Sequence, residues 1–139
     1  MEQERIFGPM LTLMLLTVLV WAYMYAKRIP FIRSLNIEPD QLTPAELARR
    51  SPPSVSNPSD NLKNLFEVPV IFYALVLYLF VTRQVDAIYL TAAWAFVAFR
   101  ALHSAVHCTI NIVLLRFALY ATSCALLFFI LARALVNYL

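Results

Sequence analysis

The sequence predicts an all-α fold, a bundle of four membrane-spanning helices making one domain over residues 1–139. Three observations predict it. The chain is 62% apolar and only 14% charged, against about 45–50% apolar in an average soluble domain. Its apolar residues are gathered into long runs instead of alternating with polar ones, the pattern that a hydrocarbon solvent selects. A single glycine, Gly8, leaves no glycine-rich phosphate loop and no dinucleotide fingerprint. The net charge of +3 is too small and too dispersed for a nucleic-acid surface.

The first run, 6–26, carries no charge and is long enough, at about 1.5 Å per residue, to cross a hydrocarbon core of about 30 Å. Ahead of it stand two Glu and one Arg, and Lys27 and Arg28 follow, so the reading is a retained anchor at about 6–27, not a cleaved signal peptide. A polar stretch of about 28–60 holds Pro39, Pro44, Pro52, Pro53 and Pro58. Within it Thr43-Pro44-Ala45-Glu46 is an N-cap, a first-turn proline and a capping-box acid in order, which predicts a short surface helix to Arg50, stopped by Ser51-Pro52-Pro53. Ser59 or Asp60 is the expected cap of the next helix. That helix continues as the second span, about 62–82, and should kink at Pro69, which deprives the Leu65 carbonyl of its donor. From Ala87 to Ala132 only Arg100 and Arg116 are charged. This run is too long for one crossing and predicts a tight pair, about 87–107 and 112–134, turning at Cys108 to Asn111.

Orientation follows from lysine and arginine. Lys27, Arg28, Arg33, Arg49, Arg50 and Lys63 lie between spans one and two, whereas the next loop offers only Arg83 and the ends only Arg5 and Arg133. The long loop is therefore expected in the cytoplasm and both termini outside, as in a bacterial inner membrane.

Polar side chains inside spans are costly, so each is a candidate for a functional role. Asp60, Asn64 and Glu67 share one helical face, as do Arg100, His103 and His107, and Arg116 and Tyr120. The predicted topology brings these faces toward the cytoplasmic leaflet, with no comparable set expected at the outer side. The plainer reading of Arg100 and Glu67 is a buried ion pair that fixes helix register, and that of Arg116 is snorkelling to headgroups. His103, His107, Cys108 and Glu67 have metal-ligand chemistry, but two arginines disfavour a cation and suit an anion or a thiolate. Cys108 and Cys124 read as packing residues, not as a disulfide, in a reducing compartment.

At Asn64-Leu65-Phe66-Glu67-Val68-Pro69 and Arg100-Ala101-Leu102-His103-Ser104-Ala105-Val106-His107 the chain resembles the membrane-associated proteins in eicosanoid and glutathione metabolism, the MAPEG family, in a divergent bacterial form. The resemblance implies a homotrimer in the lipid bilayer that uses glutathione as co-substrate. It further implies that Asn64, Glu67, Arg100, His103 and His107 bind glutathione and that Arg116 stabilises its thiolate; Tyr120, one turn from Arg116 on the same face, is expected to join the binding residues on its position alone. Two positions depart from the family pattern: Asp60 stands where Arg is usual, and His107 where Tyr is usual. The function expected on this basis is a glutathione-dependent transferase or peroxidase acting on hydrophobic small electrophiles. The rival reading, motivated by Asp60, is a non-catalytic MAPEG-like scaffold or a subunit of a larger membrane assembly.

Overall fold

The computed structural model describes residues 2–139, and among them there is helix and no strand. A 3-10 turn, Gln3–Ile6, leads into α1, Phe7–Ser34; α2 is Pro44–Arg50, α3 Pro53–Leu65, α4 Val68–Val81, α5 Ala87–Cys108 and α6 Val113–Tyr138.

Three stretches are long and apolar enough to cross a membrane: α1 with its leading turn, α3 continued by α4, and α6. Their most apolar windows are only 22%, 33% and 22% buried inside the chain. Leu11, Leu15 and Val18 on α1, Ile71 and Leu77 on α4, and Phe128 and Phe129 on α6 lie exposed. So much outward apolar surface is stable when the surrounding solvent is itself hydrocarbon.

The inward helix is α5. Tyr89, Ala92, Ala93, Phe96, Val97, Arg100, His103, Ser104 and His107 are buried on it, recurring every three to four residues as one helical face. Above, this face is apolar and Phe96 packs on Phe72 with ring centroids 4.6 Å apart. Below, the same face turns polar and builds the site.

α1 runs one to two turns past the expected span end. Lys27 and Arg28 mark where a bilayer stops, not where a helix stops, and Pro30 lies close enough to the end that few ladder bonds are lost. α2 forms as expected, with the Thr43 side chain accepting from the Glu46 backbone N–H at 3.2 Å. Glu46 does not complete a capping box: its carboxylate receives Arg49 Nη2 at 2.8 Å and Arg50, and these guanidiniums hold its carboxyl down to about 2.

The next helix starts at Pro53, not at Ser59 or Asp60. Pro52 is its N-cap and Pro53 its first residue, where a fixed φ is already helical and the missing N–H is lost anyway. Pro69 then does more than kink the second span. The helix ends at Leu65, Glu67 takes φ −95° and ψ −105°, and α4 restarts with Pro69 in its first turn. The turn between α5 and α6 falls where expected, with Asn111 at φ 46°.

Candidate functional site

Breaking a helix strands the carbonyls of its last turn. The break at Phe66 and Glu67 does this to α3, and Arg100 of α5 reaches across to donate from Nη2 to the Asn64 carbonyl at 2.5 Å. The Arg100 side chain is fully buried, with its Cζ 5.3 Å from the Tyr120 ring centroid. Its Nε and Nη1 have no hydrogen-bond partner among the described residues. A buried guanidinium with two unused donors is a strong attractor for negative charge.

Beside Arg100 a cleft of about 650 Å³ opens between α3, α5 and α6. Its polar wall is Asp60 and Asn64 from α3, His103 and His107 from α5, and Arg116 and Tyr120 from α6. Val113, Leu114 and Phe117 form an apolar lip, and all three are well exposed. The opening therefore joins a polar floor to an oily entrance, the combination that a polar co-substrate and a lipophilic reactant require together.

The histidines are held but not satisfied. His103 Nδ1 lies 3.0 Å from the Arg116 carbonyl, and since a carbonyl only accepts, Nδ1 donates. His103 Nε2 and His107 Nδ1 are buried without partners, in side chains whose residues are 2% and 4% exposed. The two rings meet edge-on at 5.5 Å, and Tyr120 stands 5.6 Å from His103.

Of the residues singled out from sequence, the structure brings Asn64, His103, His107, Arg116 and Tyr120 to one cleft, joined by Asp60. Arg100 lies behind them. Glu67 is not part of the cleft lining: it is exposed, and its side chain makes no hydrogen bond or ion pair among the described residues. The Arg100–Glu67 ion pair is therefore not formed, because Arg100 is engaged by a backbone carbonyl that the helix break exposes. Four residues were not anticipated. Asn61, fully buried, donates to Cys108 Sγ at 3.5 Å and accepts from Ser104 Oγ at 3.3 Å, stitching α3 to α5. Asn111 accepts from Arg116 Nη1 at 2.7 Å and donates to Asn57 Oδ1 at 3.2 Å. The signal was present, since Asn57, Asn61 and Asn64 recur at helical spacing.

The sequence profile of the MAPEG family matches residues 6–136, nearly the whole chain. The chain belongs to the MAPEG family. It is accordingly an integral membrane protein of a glutathione-associated family. No curated protein and no solved structure matches it.

The opposite end of this MAPEG bundle corrects the expectation that no comparable polar set lies there. Asp86 caps α5 by accepting from the Tyr89 backbone N–H at 2.9 Å. It also receives Arg133 Nη1 and Nη2 at 2.8 and 2.5 Å. The Arg133 guanidinium lies 4.1 Å from the Tyr89 ring centroid, and Asn137 donates to the Tyr89 hydroxyl at 3.1 Å. Gln3 exchanges two hydrogen bonds with the Val85 backbone, at 3.1 and 2.9 Å. Arg133 holds the Asp86 carboxyl down to about 2.

Proposed function

We propose that this protein is a glutathione-dependent transferase or peroxidase whose hydrophobic electrophilic substrates arrive through the bilayer. The observation that carries the reading is the cleft shared by Arg116 and two buried, unpartnered histidines, taken with membership of a glutathione-associated family. Arg116 holds the glutathione sulfur as thiolate by a charge-assisted contact, which lowers the thiol pKa and raises the fraction of nucleophile. Asn64, His103, His107 and Tyr120 bind the peptide part, with Arg100 adding positive charge from behind, and Glu67 takes part from an adjoining subunit.

In the transferase reaction the thiolate attacks an electrophilic carbon seated against Val113, Leu114 and Phe117. A carbon–sulfur bond forms, and the leaving group departs with its electron pair. With a hydroperoxide the thiolate attacks the terminal oxygen, the S–O bond forms as the O–O bond breaks, and the alkoxide leaves as alcohol after taking a proton from solvent; the thiol of a second glutathione then attacks the sulfenic sulfur and displaces water to give the disulfide. The proposed setting is a homotrimer in a bacterial inner membrane, with each chain one domain crossing four times. α5, Ala87–Cys108, is the fourth crossing, since its 22 residues give about 33 Å of helix. The long loop is cytoplasmic and the termini are outside.

Calorimetric titration of the detergent-solubilised protein with glutathione tests the reading, and absence of heat at millimolar glutathione removes it. Conjugation of glutathione to a chloronitrobenzene substrate tests the activity. One observation favours the rival, a scaffold or assembly subunit without chemistry: Asp60, paired with Lys63 Nζ at 2.9 Å, puts a carboxylate in the cleft wall where the family pattern has a cation, which disfavours a glutathione carboxylate there. Co-purification of a stoichiometric partner, with no conjugation, decides for that rival.

A further inference from the structure

An arginine that sets the pKa of a thiol must be held in place, because its long side chain has many rotamers and a flexible cation is a weak electrostatic device. Arg116 sits in the first turn of α6 and is only half-buried, so packing alone does not fix it. Two asparagines do. Asn111 Oδ1 accepts from Arg116 Nη1 at 2.7 Å, and Asn111 Nδ2 donates to Asn57 Oδ1 at 3.2 Å.

The polarity of this chain is self-determining. A guanidinium only donates, so the oxygen of Asn111 must face it, its amide nitrogen must face Asn57, and the Asn57 oxygen must accept. Asn111 is also tied by its backbone, at φ 46° with its N–H bonded to the Val106 carbonyl at 2.8 Å. Asparagine tolerates that left-handed conformation better than most residues. Both ends of the relay are therefore anchored, one in the α5–α6 turn and one in α3. The rest of the Arg116 guanidinium has no hydrogen-bond partner among the described residues and lines the cleft.

We infer that Asn111 and Asn57 are positioning residues that aim Arg116 at the bound sulfur, making the cytoplasmic helix α3 the element that sets thiolate acidity. The inference rests on the proposed function, and its test separates the two. Bound glutathione is titrated on the full-length protein in detergent by the ultraviolet absorbance of its thiolate, and conjugation is followed against pH. Asn111→Gly keeps the left-handed turn, which glycine adopts freely, and deletes the amide. It is expected to raise the pKa of the bound thiol and shift the rate profile to higher pH. The conjugation rate near neutrality should fall about tenfold, the scale of one hydrogen bond to a charged group. Asn57→Leu should act in the same direction by about threefold, while Asn57→Asp, which retains the acceptor, should restore the titration.

Arg116→Ala is the control for the reading. A thiolate titration unaffected by Arg116→Ala overturns the assignment of Arg116 to the sulfur and the relay with it. Loss of the thiolate in Arg116→Ala, with the parent titration kept in Asn111→Gly, overturns the relay alone. If Asn111→Gly does not accumulate as folded protein, the Asn57 pair carries the test, and equal titrations for Asn57→Leu and Asn57→Asp overturn it.

Discussion

The two ends of the bundle carry the same chemical types, an acid, arginine, an aromatic ring and asparagine, and use them oppositely. At the end where α5 starts and α6 finishes, the acid and the arginine are matched to each other, although Gln84 Oε1 nearby is buried with no hydrogen-bond partner among the described residues. Asp86 meets Arg133 through two hydrogen bonds, Arg133 stacks on Tyr89, and Tyr89 accepts from Asn137. At the other end Arg100 has two free donors and His103 and His107 each keep a buried nitrogen unpartnered among the described residues, and Glu67 is exposed with no ion pair among them. The first arrangement is a closed clamp between the start of α5 and the end of α6. The second withholds partners that a ligand can supply, at a cost in stability that the clamp and the apolar layer between them offset.

The largest effect expected is a double dissociation between two arginines. Arg116→Ala should lower glutathione conjugation by about a hundredfold or more, the scale of losing one preorganised donor to a reacting charge, and leave thermal stability nearly unchanged. Arg133→Ala should do the reverse, lowering stability by about 1 kcal/mol for a partly exposed pair and its ring contact while conjugation persists. Kinetics and thermal unfolding of both variants in the same detergent check this. Loss of activity in Arg133→Ala, with folding intact, would break the division between the two ends.

Arg100 sharpens the comparison, because this cation at the open end also does structural work by donating to the Asn64 carbonyl. Arg100→Ala should destabilise by about 2–4 kcal/mol, from a cavity and a buried Asn64 carbonyl left without a donor. Arg100→Lys should recover part of this, since an ammonium can still reach the carbonyl. Unfolding curves of the two variants measure it, and equal losses would show that charge and donation at this position do not matter.

Much of this arrangement was legible beforehand. The apolar runs, the Thr43 cap and the turn at Asn111 are local features, and local physics decides them. The polar face of α5 was equally plain, since Arg100, His103 and His107 have helical spacing in an otherwise oily stretch. The Asp86–Arg133 clamp was not, because the two residues lie far apart in sequence and each sits at the edge of an apolar run, where a charge looks merely solvated. The start of α3 was missed for a different reason. Pro52 and Pro53 read as a stop, yet Pro53 stands at a helical position that suits proline, and the helix it opens runs on through the buried Pro58. The role of Arg100 depended on a carbonyl exposed by Pro69 on another helix, a relation that no single helical pattern displays.

The clamp also has a pH signature. The Asp86 carboxyl is depressed from its ordinary 3.8 to about 2, chiefly by its hydrogen bonds to Arg133. A depressed acid stabilises the fold above its unfolded value and loses that contribution as pH falls through its folded value. The stability difference between the parent protein and Asp86→Asn should therefore be constant above about pH 5 and shrink between about pH 4 and pH 2. Thermal unfolding across that range measures it, and a difference independent of pH would mean that the carboxylate charge does not hold the clamp.

Glu67 should give the smallest effect on the isolated chain and the most informative one on the assembly. It is exposed and without an ion pair, so Glu67→Gln should change stability by less than about 0.5 kcal/mol. An acid placed beside the break that exposes the Asn64 carbonyl has no structural task that the chain itself reveals. If subunits of a trimer bring it against a neighbouring cleft, the same substitution weakens glutathione binding by about tenfold with stability unaltered, as titration calorimetry would register. If binding is also unchanged, Glu67 is a solvated surface acid, and the open end is completed by α3, α5 and α6 of one chain alone.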